Sequence, residues 1–257
     1  MAKWTPFPHA GDYSFDALSV KKNWARLHAG DAEPLPKDAK VLEAWALFHA
    51  GDFQKAAELG LKLGGSGLTV ANKATCIYAN YLEAKESSKL ALFMEVAERA
   101  EKQSKENPSD TNAYYWQAYA LGRYSQGISV AKALAQGLGG KVKEALEKTI
   151  KLQPKHADAH IALGAFHAEV IDKVGSLIGS MTYGVKKDTS FKLFLEALKL
   201  NPSSAIAMVE QANSMVMLEG DKRMKEATKL YEAAAACKAM DAMERLDIEM
   251  AKAELED

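Results

Sequence analysis

Three prolines recur at nearly constant spacing in this chain. Pro108, Pro154 and Pro202 lie 46 and 48 residues apart, and each follows an amphipathic run rich in Lys, Glu and Leu and precedes a run rich in Ala. Proline ends a helix because it lacks a backbone N–H and pushes the preceding residue out of the helical region. A fixed period of this length predicts stacked helical hairpins, because a single hairpin cannot bury its own apolar face and must pack on the next.

The pattern between these prolines predicts helices and two inserted segments. No stretch alternates apolar and polar residues as a strand would, so we expect an all-α fold. The inserts, residues 125–140 and 172–188, carry several glycines and fall at the same place in consecutive hairpins, which predicts that both lie on one face. Helix is expected over residues 14–28, 40–50, 53–63, 70–85, 88–106, 111–124, 141–152, 157–170, 189–200, 205–219, 224–236 and 239–254.

Three parts are predicted along the chain: an N-terminal arm and first helix over residues 1–36, a repeat array over 37–238, and a C-terminal capping helix over 239–257. In the arm, Trp4 and Phe7 are expected to dock on the body, and the first helix is expected to begin at a Ser14 cap. The sequence WARLHAGD of residues 24–31 returns as WALFHAGD in residues 45–52. Gly30 and Gly51 are therefore each expected to end a helix in the left-handed conformation.

Charge and apolar content exclude several classes of protein. The chain has 33 basic and 34 acidic residues, so we expect no basic face for nucleic acid. No run approaches the roughly 20 apolar residues of a membrane span, and the start carries no signal peptide, so a cytoplasmic protein without membrane insertion is expected. The two cysteines, Cys76 and Cys237, lie far apart in Ala-rich helical settings. They are expected to be buried reduced thiols.

The hairpins resemble the tetratricopeptide repeat. Residues 160–167, HIALGAFH, match the W-x-x-L-G-x-x-Y half of that repeat with His at both aromatic places. The resemblance covers about residues 37–236 and implies a helical-hairpin solenoid that binds a peptide or protein. Its other small and aromatic signature positions are matched by Ala44, Leu47, Gly51, Phe53 and Ala56.

The last three repeats resemble two narrower families. A helix, a glycine-containing insert, the run KEALEKTIKLQP of residues 143–154 and a second hairpin with its own insert are similar to the T-components of TRAP transporters and to the regulator of microtubule dynamics family. The second resemblance implies a tetratricopeptide-like binding protein. The first implies a small-ligand carrier with its ligand enclosed between helices. We predict a non-catalytic scaffold with a protein or peptide partner, keep the carrier as the alternative, and leave homo-oligomerisation open.

The resemblance also assigns a groove, because the first helix of each hairpin lines the concave wall of such arrays. Aromatic faces there would supply rigid contact area, while Arg123 and Asn112 would hold a carboxylate or backbone group of the partner. The alternative for Trp45 and Tyr115 is ordinary packing between hairpins. The candidate groove residues are Trp45, His49, Asn112, Tyr115, Tyr119, Arg123, Asp158, Glu169 and Asn213.

No residue set demands a reaction or a cofactor. His156, His160 and His167 could share one helix face, but no Glu or Cys joins them in a metal-binding pattern, so packing roles are expected. The glycine run of residues 137–140 is followed by Val142 where a phosphate loop needs Ser or Thr. No catalytic residue, metal or cofactor is therefore predicted. The remaining enzymatic alternative is a hydrolase or transferase site in the two glycine-containing inserts.

Overall fold

The computed structural model describes residues 3–256, and within them it holds fourteen α-helices, one 3₁₀-helix and no strand. The expected all-α fold is therefore confirmed. The 3₁₀-helix spans Gly220–Arg223. The α-helices are α1 (Ala17–Leu27), α2 (Ala39–His49), α3 (Phe53–Leu63), α4 (Gly67–Tyr81), α5 (Glu86–Glu106), α6 (Thr111–Gln126), α7 (Val130–Ala135), α8 (Leu138–Leu152), α9 (Ala157–Val174), α10 (Ser176–Tyr183), α11 (Lys187–Leu200), α12 (Ala205–Glu219), α13 (Met224–Ala235) and α14 (Ala242–Ala253).

Each periodic proline precedes a helix cap by two residues. The capping side chain accepts a hydrogen bond from the backbone N–H three residues further on, at 3.1–3.2 Å in all three cases. The proline ends one hairpin and the cap begins the next helix, which is why the period marks the hairpin boundaries. The caps are Asp110 after Pro108, His156 after Pro154 and Ser204 after Pro202.

The described chain divides into two compact units. The first contains the residues up to His28, Glu33–Leu152 and Met240–Met243. The second contains Ala29–Ala32, Gln153–Ala239 and the residues from Glu244 onward. Each unit is built from helical hairpins.

In the first unit the hairpins α2–α3, α4–α5 and α6–α8 follow one another, and α1 packs on α2. Helix α4 packs between α2 and α6, and every residue from 69 to 79 is buried. A helix that is buried all round needs neighbours on every side. Helix α4 is therefore the centre of this unit.

The arm docks on the first unit as expected. Trp4 and Phe7 are both buried. The Trp4 ring stacks on Tyr78 of α4 with a centroid distance of 4.1 Å, and Phe7 meets Phe53 of α3 edge-on at 6.1 Å. Gly51 ends α2 with a φ of 90°, as predicted, and the Phe7 ring lies in the space that a Cβ at Gly51 would need.

In the second unit α9 pairs with α11, α12 pairs with α13, and α12 also packs on α9. Gly164 brings α9 close to α11, since the Ser190 hydroxyl donates a hydrogen bond of 2.7 Å to the Gly164 carbonyl. The Phe194 side chain of α11 is fully buried beside Ile161 of α9. Val209, Tyr231 and Ile248 bring α12, α13 and the later part of α14 into a second apolar cluster.

Three local predictions were wrong. The cap of α1 is Asp16 rather than Ser14, because Asp16 and Ser19 exchange two hydrogen bonds in a capping box. Gly30 does not adopt the left-handed conformation. Its lack of a side chain instead lets the Asp158 carboxylate lie close to its backbone, since a Cβ there would lie 2.4 Å from that carboxylate. Cys76 is buried as expected, but Cys237 is only half-buried.

Both inserts contain a short helix, α7 in the first and α10 in the second. Among residues 3–256, no helix has the length and apolar content required to cross a membrane.

Candidate partner-binding surface

Trp45 and His49, the candidate groove residues of α2, are fully buried in the first unit. They lie one turn apart, and side chains from the end of α1 cover them. Trp24 meets the Trp45 ring edge-on with centroids 5.9 Å apart, and His28 meets it edge-on at 4.5 Å. Side chains from the end of α1 therefore cover Trp45 and His49 within the first unit.

A buried carboxylate orders the two histidines at this contact. His49 Nδ1 lies 2.6 Å from Asp241 Oδ2, and His49 Nε2 lies 3.4 Å from His28 Nε2. The carboxylate accepts a hydrogen bond from the Nδ1–H of His49, and the Nε2 atoms of the two histidines face each other. Asp241 comes from the C-terminal stretch of the first unit, and no local pattern marks it in the sequence.

Lys73 is a second buried polar residue that sequence reasoning missed. It is 3% exposed, and its Nζ lies 5.6 Å from the centroid of the Trp45 ring and 5.2 Å from that of Phe48. A cation over two ring faces is favourable where water is excluded. The signal that could have found it is its place as the one charged residue within the buried run 69–79.

The candidate residue at the start of α6 is also covered. The Asn112 side-chain amide donates to the Glu33 carboxylate, and Asn112 is 2% exposed. The Trp24 indole N–H donates to the Glu33 carbonyl at 2.8 Å. Glu33 is thus held through both its backbone and its carboxylate, next to the Trp24 ring that covers α2.

Tyr119 and Arg123 form a pair further along α6 that keeps accessible surface. The Arg123 guanidinium lies 5.4 Å from the centroid of the Tyr119 ring, and its Nη1 donates to Gln126 at 3.2 Å. The Tyr119 ring also contacts Tyr115 and Trp116, at centroid distances of 6.2 Å and 5.4 Å. Tyr115 and Trp116 are buried, whereas Tyr119 and Arg123 are half-buried. The buried rings of Tyr115 and Trp116 therefore support a partly exposed surface formed by the Tyr119 ring and the Arg123 guanidinium.

A second arginine of the first unit has its charge paired with a carboxylate. Arg99 of α5 donates from Nε to Asn72 at 2.6 Å and from Nη1 to Glu95 at 2.8 Å. Its Nη2 is buried and has no hydrogen-bond partner within the described chain. Burial raises the pKa of the Cys76 thiol, and the positive charges of Arg99 and Arg123 act in the opposite direction. The thiol stays neutral, and two cations lie near it.

The three candidate groove residues of the second unit contact different neighbours. The Asp158 backbone N–H donates to the Gly30 carbonyl at 3.0 Å, in the first turn of α9. Glu169 lies three turns further along α9, and Asn213 of α12 accepts a hydrogen bond from the Tyr231 hydroxyl. All three candidates are half-buried, and they lie at different levels of α9 and on α12.

The three histidines of α9 have hydrogen-bonding roles in the fold. His156 caps the helix through Nδ1, and His160 donates from Nε2 to the Pro154 carbonyl at 3.0 Å. His167 Nδ1 accepts from the Lys186 backbone N–H at 2.9 Å, which ties α9 to the start of α11. Within residues 3–256, no group of three or more His, Cys, Asp or Glu side chains is arranged to hold a metal ion.

Comparison with known proteins agrees with this architecture. The family model described as "Regulator of microtubule dynamics protein 1-3" matches residues 67–256, which is more than half of the chain. The crystal structure of TTC0263, a thermophilic TPR protein of Thermus thermophilus, is similar to this chain with a TM-score of 0.58 and 15% sequence identity, over 83% of this chain and 97% of that one. None of the curated proteins matches the chain. The predicted tetratricopeptide-like fold is thereby confirmed.

Proposed function

We propose that this chain, which belongs to the regulator of microtubule dynamics protein 1-3 family, is a non-catalytic scaffold that binds a protein partner through Tyr119 and Arg123. The observation that carries the proposal is the position of the Arg123 guanidinium over the half-buried Tyr119 ring, 5.4 Å from its centroid. The ring and the hydrogen bond to Gln126 restrain the guanidinium, and a restrained guanidinium can bind a carboxylate with two parallel hydrogen bonds. The tetratricopeptide-like fold supports a role in protein interaction.

The electrostatics favour an acidic group on the partner. Arg123 is the cation of the Tyr119–Arg123 pair, whereas the charge of Arg99 is paired with Glu95, whose Oε1 lies 2.8 Å from Arg99 Nη1. The name of the family points to the microtubule system, and we propose microtubules as the first partner to test. Binding would then take place in the cytoplasm, through an acidic side chain of the partner that pairs with the Arg123 guanidinium.

The buried position of Cys76 supports a non-catalytic role. A catalytic cysteine needs a lowered pKa and access to substrate. Cys76 is fully buried, and burial raises the pKa of its thiol. The buried histidines that could serve as bases are engaged by Asp241, by backbone groups or by a helix cap.

The test is co-sedimentation of the purified full chain with polymerised tubulin, compared between the parent and Arg123→Ala. Removal of a charge-assisted hydrogen bond costs about 1.5–3 kcal/mol, so the dissociation constant should rise at least about tenfold. The matched control is Lys132→Ala, which removes an exposed cation from α7 and should sediment like the parent. Circular dichroism should show the same helix content in all three proteins.

Two results would contradict the proposal. If the parent stays in the supernatant at all tubulin concentrations, microtubules are not its direct partner. If Arg123→Ala and the parent sediment equally well, the partner does not contact the Tyr119–Arg123 pair.

A further inference from the structure

Helix α10, the short helix of the second insert, exposes apolar side chains that the rest of the second unit does not cover. Leu177, Ile178 and Met181 are 74%, 58% and 81% exposed. Leu177 and Met181 are four residues apart and therefore share one face of α10, and Ile178 lies beside that face. Clustered apolar side chains on a surface are typical of a site that binds a protein or a membrane.

The contact between α10 and the body of the second unit is narrow. Gly179 is the one buried residue among the eight of α10. Side chains of Val185 and Val170 lie 2.8 Å and 3.2 Å from the position that a Cβ at Gly179 would take. Gly175 and Gly184, with φ values of 84° and 67°, turn the chain into and out of the helix. The apolar side chains of α10 therefore point away from the unit.

Lysines lie on both sides of α10 in the sequence. Residues 174–185 carry no charged side chain, and Lys173 precedes them while Lys186 and Lys187 follow them. All three lysines are exposed. A long lysine side chain can hold its cation at the level of lipid phosphates while apolar neighbours lie deeper. An uncharged apolar helix between lysines therefore matches the surface of an anionic bilayer.

Two of these lysines have carboxylate neighbours. Lys173 Nζ lies 2.8 Å from Asp172, and Lys187 Nζ lies 2.9 Å from Glu219. Ion pairs between side chains this accessible contribute little to stability, so a phosphate group can replace the carboxylate. Asp172 and Asp188 lie outside the lysines in the sequence, which leaves the lysines as the charged residues nearest to α10.

A second copy of the chain would fit this face poorly. A stable protein interface buries about 800 Å² on each partner and involves about 20–30 residues a side, and three apolar side chains supply a small part of that. Two copies of the face would also bring their lysines together, whereas lipid phosphates carry the opposite charge.

We propose that α10 docks on the surface of a bilayer that contains anionic phospholipids. Leu177, Ile178 and Met181 lie in the boundary between headgroups and acyl chains, and the three lysines lie on the phosphates. Shallow apolar insertion alone gives marginal membrane binding, and basic residues add the second attraction that makes the binding stable. This activity goes beyond the proposed scaffold function, since it belongs to the second unit and requires no protein partner.

The test is co-sedimentation of the full chain with vesicles of phosphatidylcholine alone and of phosphatidylcholine mixed with phosphatidylserine. The parent should bind the mixed vesicles more tightly, and added salt should weaken that binding. Leu177→Ser combined with Met181→Ser should raise the dissociation constant for mixed vesicles at least about tenfold, because two apolar side chains no longer leave water. Lys186→Gln should raise it about fivefold.

The matched control is Leu18→Ser, which changes a leucine of α1 that is 78% exposed, close to the value for Leu177. It should bind mixed vesicles like the parent. All of these substitutions change exposed side chains, so circular dichroism should show the helix content of the parent in each variant. On the unaltered protein, mixed vesicles should slow hydrogen exchange in residues 173–187 and leave α1 unchanged.

Three results would overturn the inference. The first is a parent that stays in the supernatant with mixed vesicles, and the second is a variant with Leu177→Ser and Met181→Ser that binds them as tightly as the parent. The third is gel filtration in which the parent is a dimer and the same double variant a monomer, because the apolar face would then bind a second copy.

The two proposals fail separately. The vesicles contain no tubulin, and Arg123→Ala should bind them like the parent. A chain that binds microtubules but not vesicles keeps the scaffold function and loses the membrane surface. A chain that binds vesicles but not microtubules does the reverse.

Discussion

Two glycines in the middle of helices should respond in opposite ways to the same substitution. Gly122 of α6 has nothing within 4 Å of the position that a Cβ would take. At Gly164 of α9 the same Cβ would lie 3.1 Å from the Phe194 ring and 3.2 Å from the Ser190 carbonyl oxygen. The carbonyl belongs to the backbone of α11, which cannot turn aside as a flexible side chain would.

The magnitudes follow from two separate effects. Replacing glycine by alanine within a helix stabilises it by about 1 kcal/mol, so Gly122→Ala should stabilise the chain by that amount. At Gly164 the same gain is opposed by overpacking, which costs about 1–3 kcal/mol in a well-packed core. Gly164→Ala should therefore fall below Gly122→Ala in free energy of unfolding by about 1–3 kcal/mol. Gly164→Leu, whose longer side chain meets the same two groups, should be the least stable of the three.

Urea denaturation followed by circular dichroism at 222 nm measures the difference. Gly122→Ala should unfold at a higher urea concentration than the parent, and Gly164→Leu at a clearly lower one. Thermal midpoints should follow the same order, with about 2–4 °C for each kcal/mol in a chain of this size. If Gly164→Ala is as stable as Gly122→Ala, the helices α9 and α11 do not approach each other as closely as described, and the packing argument fails.

Other predictions concern buried groups. Iodoacetamide at neutral pH should modify Cys237 and leave Cys76 unmodified until urea is added, because burial raises the pKa of the Cys76 thiol; peptide mass spectrometry reads both sites, and early Cys76 labelling would contradict it. Burial also raises the pKa of Tyr231 to about 12, so the folded chain should lose stability as pH rises from about 10, the unfolded value, through 12. Tyr231→Phe should reduce that alkaline loss in urea denaturation, and an unchanged pH profile would speak against it. Asp241→Ala should destabilise the chain by about 1–3 kcal/mol in the same assay, because it leaves His49 Nδ1–H buried without its acceptor; a stability equal to the parent's would refute this role.

Much of the fold could be predicted because its signals are local. The periodic prolines and the caps two residues after them act within a few residues, and this is why helices α6, α9 and α12 begin where the sequence predicts. Helices α7 and α10 were missed because six and eight residues are too few to display a periodic apolar face.

The candidate site was harder to predict for a physical reason. The repeat register predicts groove positions for Trp45, His49 and Asn112, but it cannot show what lies against them. The partners of these residues, Glu33 and Asp241, are 79 and 192 residues away in sequence. Contacts over such distances follow from the packing of whole helices, and no short pattern encodes them.

The contact between His49 and Asp241 cannot form until most of the chain has been synthesised. The two residues are 192 positions apart, and a ribosome adds about 5–20 residues per second. Asp241 is therefore synthesised about 10–40 s after His49. During that interval the first helices can form and pack, but the first unit lacks the residues Met240–Met243 that complete it. A nascent chain released before this stretch is made would carry a buried histidine pair without its acceptor. Early termination late in the coding sequence should thus damage the part of the protein that was made first.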